Sequence, residues 1–286
     1  MLNGGKKTQA ALAAGLTLPE VERYRSKEIC ILLDYNGPTL YHNNIKIDYS
    51  HCLLLNRFSR DLQFAGIISE LIANSGGSVI NPIGCHYKDA SEKIAQMVRV
   101  STYNVPIPKT AVLEKSGYVH NTEIVQNAFT MPVVCKTDGN KGEQVQKITS
   151  VTELDFFMNN LQDEEVALIQ EYIPNSFDIR IIIAFGEIIG AVKRKAAPGQ
   201  FLNNVSQGGS VELHNTTPKE ASLALQAAKL NKTDIAGVDL IYQDNEPVFL
   251  ELNQGFGIEG FERVHKEEPV FTIIGRILKN KLENHV

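Results

Sequence analysis

Two acids and an amide near the C-terminus can share one face of a hairpin. The segment Ala236-Gly237-Val238-Asp239 is followed by Val248-Phe249-Leu250-Glu251-Leu252-Asn253, with Asp244-Asn245-Glu246-Pro247 between them. Pro, Asn and Asp favour tight turns because they pre-set φ or hydrogen-bond their own backbone. Side chains alternate along a strand, so Val238, Leu240 and Tyr242 point one way while Gly237, Asp239 and Ile241 point the other. A hairpin closing near residues 243 and 247 predicts Asp239 opposite, or one position from, Glu251, with Asn253 on the same face. Two facing carboxylates repel unless a cation or a proton sits between them, and an all-oxygen set suits Mg²⁺ or Mn²⁺. Taken alone, the pattern also describes an ordinary hairpin with a solvated polar face. The glycine-rich run Gln254 to Gly260 leaves the second strand beside these residues, where glycine admits close backbone approach to a ligand.

Three upstream constellations could serve the same chemistry. In Val133-Val134-Cys135-Lys136-Thr137-Asp138-Gly139-Asn140-Lys141-Gly142-Glu143, a strand delivers Lys136 and the next loop carries Gly139 and Gly142. Such a loop can fold N–H groups over phosphate oxygens while a lysine supplies compact positive charge. No GK[ST] follows, so this is not a Walker A loop, and a glycine hairpin with a surface lysine is the plain alternative. In Ile169-Gln170-Glu171-Tyr172-Ile173, with Asp178 and Arg180 after it, a strand edge can read a purine and a carboxylate can accept from ribose hydroxyls. A surface salt bridge would use the same residues and contribute little. The run Lys193-Arg194-Lys195 leads through Phe201-Leu202-Asn203-Asn204 to Gly208-Gly209. Arg194 there can brace a transferring phosphoryl group or a carboxylate; a solvated charge run is the alternative.

The elements that must position these residues follow from periodicity. Glu28 to Leu33 and Cys52 to Asn56 read as strands, and a helix from Ser59 ends at Gly76-Gly77 before a strand Ser78 to Asn81. This βαβ order predicts a small α/β domain with parallel strands. Asp89 and Glu92 form a capping box for a helix reaching about Ser101. Asn104-Val105-Pro106-Ile107-Pro108 is a stiff connector, since each proline biases its predecessor to an extended form. Strands over Met131 to Lys136, Val166 to Tyr172, Asp178 to Phe185 and Glu187 to Lys195 alternate with helices from Ser150, Thr217 and Pro269. An α+β body joined to an N-terminal α/β domain is expected, with units at 1–107, 108–172 and 173–286.

Composition narrows the classes. At 286 residues, 43% apolar and 21% charged, the chain reads as a globular protein of two or three subdomains. Its net charge of −5 argues against nucleic acid, whose binding rests on neutralising phosphates. The longest apolar stretches, such as Ile181 to Phe185, fall far short of a membrane span. Lys6-Lys7 and the following Ala/Leu run lack a long apolar region, so a signal peptide is not expected and a cytoplasmic location is the default. Cys30, Cys52, Cys85 and Cys135 show no CxxC spacing, and His51-Cys52 with Cys85-His86 makes no recognised zinc pattern; reduced or buried thiols are expected.

The order of these elements is more specific than any one of them. Strand-lysine, glycine loop, Glu-Tyr strand, Asp-x-Arg, basic strand, Asn, Gly-Gly, Gly-Val-Asp and Glu-x-Asn resembles the ATP-grasp superfamily, specifically the RimK-type ligases that join amino acids to a carboxyl group. The resemblance covers about residues 85–265. It implies an ATP-grasp fold preceded by a small α/β (pre-ATP-grasp) domain. It makes Lys136 the phosphate-binding lysine and places Glu171 and Tyr172 at the adenine strand, flanked by Gln170 and Ile173. Asp178 falls at the ribose-side carboxylate and Arg194 near the γ-phosphate. Asn204 matches an asparagine that contacts nucleotide or metal, and Lys93, after Glu92 at a helix start, a further nucleotide-binding lysine. Asp239, Glu251 and Asn253 match the magnesium ligands. Two departures stand out: Leu202 where the family carries arginine in Gly-x-Phe-Arg-x-Asn, with Lys193 or Lys195 as compensating cations, and Asn253-Gln254-Gly255-Phe256-Gly257 where it commonly shows Asn-x-Ser-Pro-Gly.

What the resemblance implies is ATP- and Mg²⁺- (or Mn²⁺-) dependent ligation of a small-molecule or peptide carboxylate to an amino acid such as glutamate, with Arg194 and Lys136 serving catalysis. Homo-oligomers are common among similar ligases, and no nucleic-acid or membrane partner is expected. A nucleotide-binding regulatory or scaffold module on the same fold is the alternative, and a polypeptide acceptor differs from a metabolite acceptor only at the Gly255-Phe256-Gly257 side.

Overall fold

The computed structural model describes residues 6–18, 28–34, 37–50, 52–55, 62–81, 93–137, 145–162, 165–196 and 209–283. The Ala/Leu run near the start forms α1 (Lys6–Leu16). Next come β1 (Ile29–Asp34), β2 (Gly37–His42) and β3 (Ile45–Ile47), an antiparallel sheet in that order. The apolar run at 28–33 alone gave no sign of these partners. Asn43 and Asn44, at φ 48° and 68°, close the hairpin between β2 and β3, left-handed values that asparagine tolerates best after glycine. β4 (Leu53–Leu55), α2 (Leu62–Asn74) and β5 (Ser78–Ile80) form the expected βαβ unit, and its strands pair in parallel. Leu54, Ile68 and Ile72 fill its interior, with Ile29 and Ile31 packed against them.

A second layer begins with α3 (Lys93–Thr102) and continues through β6 (Thr110–Glu114), α4 (Lys115–Ala128), β7 (Val133–Thr137), β8 (Val145–Ile148), α5 (Val151–Asn159) and β9 (Val166–Glu171). Asp89 and Glu92, the expected caps of α3, lie outside the described residues. The four strands form an antiparallel sheet in the order β6-β9-β7-β8. Alternation splits its faces: Val133, Cys135, Ala167 and Ile169 bury against Tyr118, Leu154, Phe157 and Met158 of α4 and α5, which leaves Lys136 and Gln170 on the other face. Burial pushes the Cys135 thiol up to about 12, so it is an inert core residue.

The third layer holds β10 (Asp178–Ala184), β11 (Glu187–Lys195), β12 (Ser210–His214), α6 (Pro218–Leu230), β13 (Ile235–Gln243), β14 (Glu246–Asn253), α7 (Glu259–Val264) and α8 (Val270–Glu283). Its five strands run in the order β12-β11-β10-β13-β14, all neighbours antiparallel. One face packs Ile179, Ile181, Val238 and Leu240 on Ala224 and Ala227 of α6. The other packs Ile182, Val192 and Ile235 on Phe256, Phe271, Ile274 and Leu12, so α8 and α1 cover it. A reciprocal capping box of Thr217 and Glu220, with Pro218 in the first turn, starts α6. The β13–β14 turn is tighter than the sequence suggested: Asp244 and Asn245, at φ 51° and 65°, make it alone. Pro247 falls within β14 opposite Tyr242, and an edge strand tolerates it.

Buried Asn81 ties the first layer to the third. Its Oδ1 accepts from the N–H groups of Asp234 (3.0 Å) and Ile235 (2.8 Å), its Nδ2 donates to Ile235 O (2.9 Å), and its own N–H donates to Asp234 Oδ2 (2.9 Å).

Candidate active site

The register of the five-stranded sheet lines up one row of charge. Asp239 faces Glu251 directly on β14 and Arg180 on β10; Asp178 faces Arg194 on β11; Gly237 faces Asn253. Directly opposed residues of antiparallel strands share a face, so Arg194, Asp178, Arg180, Asp239 and Glu251 form a band across four strands. Between Asp239 and Leu240 the register slips: Leu240 pairs with Phe249, leaving Leu250 as the extra residue of a bulge beside Glu251.

The band is held by charge-assisted hydrogen bonds. Arg180 grips Asp239 as a fork, Nε to Oδ1 at 2.7 Å and Nη2 to Oδ2 at 2.6 Å. Arg194 bridges two acids, with Nε 2.6 Å from Asp178 Oδ1 and Nη2 3.0 Å from Asp239 Oδ2. Glu251 accepts from Asn253 Nδ2 (2.8 Å) and pairs with Lys93 Nζ (3.0 Å). Lys136, on the facing surface of the four-stranded sheet, donates to Gln170 Oε1 at 2.9 Å and lies within electrostatic reach of Glu251 and Lys93. Four cations, Lys93, Lys136, Arg180 and Arg194, thus meet three carboxylates, Asp178, Asp239 and Glu251. The surplus positive charge suits a polyanion.

The environments tune these groups. Burial disfavours the Glu251 anion, but Lys93, the Asn253 amide and Lys136 outweigh it and bring the carboxyl down to about 2. Burial pushes Asp178 up to about 6, opposed by Arg194 and reinforced by Asp239. Burial also works against the charge of Arg194, yet Asp239 and Asp178 hold it above the usual guanidinium range. Burial brings the Lys136 ammonium down to about 8; Glu251 opposes that shift and Lys93 adds to it.

Other expected residues lie around this centre. Gln170 holds Lys136 and also donates to Thr110 Oγ1 at 2.9 Å. The Glu171 carboxylate accepts from the Lys109 N–H at 2.7 Å, which docks the connector before β6. Tyr172 lies under Lys147, whose Nζ is 3.8 Å from the ring centre. Ile173 is buried with Ile241 and Val248, and Leu250 packs beside them. Ile241 follows Asp239 by two on β13, so this apolar cluster adjoins the charged band. Lys193 departs from the group. It alternates with Arg194, so it projects from the opposite face, where Nζ sits 3.9 Å from the Phe177 ring centre and pairs at 3.9 Å with Glu212. Lys195 also reaches Glu212, at 3.2 Å. Gly139, Gly142, Asn204 and Leu202 lie outside the described residues. In the sequence Arg180 stands in the Asp-x-Arg element and as a surface-pair candidate, without a site role of its own; its place beside Asp239 depends on the β10–β13 register. Phe256 closes on Gly237 beside it: a Cβ on Gly237 would lie 2.9 Å from Phe256 Cβ, so glycine is what admits Phe256, while Arg180 Cδ, at 3.4 Å, would be in ordinary contact.

The donor chemistry fits a hard divalent cation: Asp239, Glu251 and Asn253 offer oxygen only, on one face of adjacent strands. Among the described residues no group of three or more His, Cys, Asp or Glu forms an alternative metal cluster. Arg180 and Arg194 pair with Asp239, and Lys93 pairs with Glu251.

Residues 90–277 match the RimK-like ATP-grasp domain. The chain belongs to the RimK-like ATP-grasp family. A protein described as a probable alpha-L-glutamate ligase from Aeromonas salmonicida (strain A449) is 33% identical over 196 residues, 64% of this chain and 62% of that protein. The chain thus spans less than two thirds of the length of the curated relatives of this kind. The macrocyclase MdnC from Microcystis aeruginosa MRC, solved with precursor peptide MdnA, superposes with a TM-score of 0.70 at 15% identity over 98% of this chain and 97% of that one. A RimK domain protein from Sphaerobacter thermophilus DSM 20745 gives 0.67 at 16% identity, covering 96% of each. These likenesses place the three layers in the ATP-grasp fold. No helix among the described residues is long and apolar enough to cross a membrane.

Proposed function

We propose that the chain is an ATP-dependent carboxylate–amine ligase, adding an amino acid such as glutamate. The observation that carries it is the charged band. Acids suited to a divalent cation, a buried bridging arginine and a half-buried lysine from the facing sheet converge at one place. In this reading a substrate carboxylate oxygen attacks the γ-phosphorus of ATP, the bond to the β-phosphate oxygen breaks, and ADP leaves. The amine nitrogen then attacks the acyl carbon, phosphate departs, and the amine proton is released to solvent. Phosphoryl transfer asks the protein mainly for positioning and charge. Arg194 and Arg180 lie where negative charge develops, while Lys136 and Lys93 receive phosphate oxygens. Asp239, Glu251 and Asn253 would hold Mg²⁺ or Mn²⁺, which would offset phosphate charge. The apolar cluster of Ile173, Ile241 and Val248 offers a floor for the purine, and Asp178 stands on the ribose side. The reading assigns 1–107 as the leading α/β unit, 108–172 as the small nucleotide-binding unit with its Gly139–Gly142 loop, and 173–286 as the metal-bearing unit. A cytoplasmic location of the protein goes with this reading.

Two measurements test it. ADP release is followed over a panel of amino acids and carboxylates, with and without Mg²⁺, and products are weighed by mass spectrometry. Metal-dependent release coupled to a new amide is expected; nucleotide binding without turnover on any pair would favour a regulatory module. Second, Lys136 loses its proton above about pH 8. Metal-free ADP affinity is therefore expected to fall by up to about tenfold per pH unit beyond that point, and to stay flat to pH 9.5 in Lys136→Arg, by calorimetric titration. Stability moves oppositely, because between about 8 and 10.5 the unfolded chain keeps a proton that the folded one has released.

A further inference from the structure

Helix α3 presents Lys93, Gln96, Met97 and Val100 at i, i+3, i+4 and i+7, a single stripe. Lys93 pairs with Glu251, Met97 Sδ lies 3.8 Å from the Gln170 amide that holds Lys136, and Val100 enters the core shared with α6. Gln96 does something different. It is 1% exposed, and its carboxamide binds both backbone groups of one residue: Nε2 donates to Leu252 O at 2.9 Å, and Oε1 accepts from Leu252 N–H at 2.9 Å.

Leu252 is the residue between Glu251 and Asn253. β14 is an edge strand, and no strand of the described residues pairs with its outer side. Farther back along that side, Phe249 N–H donates to Pro106 O at 2.8 Å, in the connector that follows α3. Gln96 therefore presents to Leu252 the donor and acceptor that a further strand would supply. The need is local: the Leu250 bulge interrupts the ladder with β13 one residue before Glu251, where a strand bends and twists. Tilting the peptide planes on either side of Leu252 would swing Glu251 and Asn253 together.

We propose that Gln96 is a positioning residue that fixes β14 at Leu252, and so sets the placement of Glu251 and Asn253 for a divalent cation. This rests on the ligand assignment under Proposed function. The readout is the factor by which Mg²⁺ strengthens ADP binding, from calorimetric titrations of the full chain with and without the metal. Gln96→Met keeps length and packing but offers neither hydrogen bond. It is expected to cut the Mg²⁺ factor about tenfold or more, to leave metal-free ADP affinity within about twofold, and to speed hydrogen exchange of the Leu252 amide. Arg99→Met loosens the same helix elsewhere, where Nη1 donates to Asn231 Oδ1 at 3.0 Å, and is expected to keep the Mg²⁺ factor. Gln96→Glu, which still accepts from Leu252 N–H, should lose less than Gln96→Met, and it serves as the test if the methionine variant does not fold. A wild-type Mg²⁺ factor in Gln96→Met, or in Gln96→Glu when that variant stands in, overturns the inference; so does an equal loss in Arg99→Met. Asp239→Asn separates the two levels. If it keeps the full Mg²⁺ factor, the ligand assignment itself fails; if it loses the factor while Gln96→Met does not, only the role of Gln96 falls.

Discussion

Asp239→Asn combined with Glu251→Gln is expected to lower ADP release with the cognate substrates by about a thousandfold or more. Both side chains keep their shape and lose their charge, so the oxygen set for the divalent cation collapses to neutral amides. The same change disturbs the ligand-free protein. Asp239 is 1% exposed and carries hydrogen bonds from two guanidinium groups, while Glu251 carries the Lys93 pair. Removing both acids leaves Lys93, Lys136, Arg180 and Arg194 facing Asp178 alone. Breaking a buried pair by deleting one partner costs about 3–5 kcal/mol, so the melting temperature should drop clearly. ATP or pyrophosphate, as replacement anions, should recover part of that loss even without metal. Rates are therefore compared below the variant's melting transition, with circular dichroism confirming the fold. Metal-dependent ADP release at wild-type levels in a folded double variant would show that the cation binds elsewhere.

The site's acids were partly legible in the sequence. A turn at Asp244-Asn245 and the two-residue period of a strand bring Asp239 within one position of Glu251, and the bulge at Leu250, which neither the turn nor the period encodes, sets the two directly opposite on one face. Lys136 and Arg194 were legible as cations on strands. The same period sets Lys193 and Arg194 on opposite faces of β11, so of the two only Arg194 joins the charged band. Arg180 was less accessible. It belongs to the site because β10 pairs with β13 in one register, a contact spanning 59 positions of sequence that no local pattern encodes. Gln96 is similar, 156 positions from the strand it completes. Among the elements, the βαβ unit and the helices at Ser150 and Thr217 announced themselves through caps and apolar stripes. α4 did not: Val119 and Ile124 face solvent at 64% and 70% exposure, and Asn121 leaves helical geometry, so its apolar residues trace no clean stripe. β2 and β3 were hidden for another reason, since GPTLYH and IKI are short and become strands by pairing.

Arg194→Leu is expected to reduce ADP release by about 10²–10³-fold, with a pH signature that a simple loss of packing would not give. Arg194 is 6% exposed and joins Asp178 to Asp239, so its removal leaves two buried carboxyls with Arg180 gripping only the second. Asp178 already stands at about 6 with its partner present, because burial opposes its charge. Without Arg194 it rises further and is protonated at neutral pH. A carboxyl whose folded pKa lies above its unfolded one binds more protons in the native state between those values, so its contribution to stability falls as pH rises through that window. The variant should therefore melt highest near pH 5 and lose stability toward pH 8 more steeply than the wild type. Arg194→Lys restores a charge but not the planar fork that reaches two acids at once, so it should recover part of the stability and little of the rate. Melting curves from pH 5 to 8 and single-turnover ADP release measure the two effects on the same samples. A wild-type rate in Arg194→Leu, with only the melting curve altered, would make Arg194 a counter-ion for Asp178 and Asp239 and leave the phosphoryl group to Arg180 and Lys136.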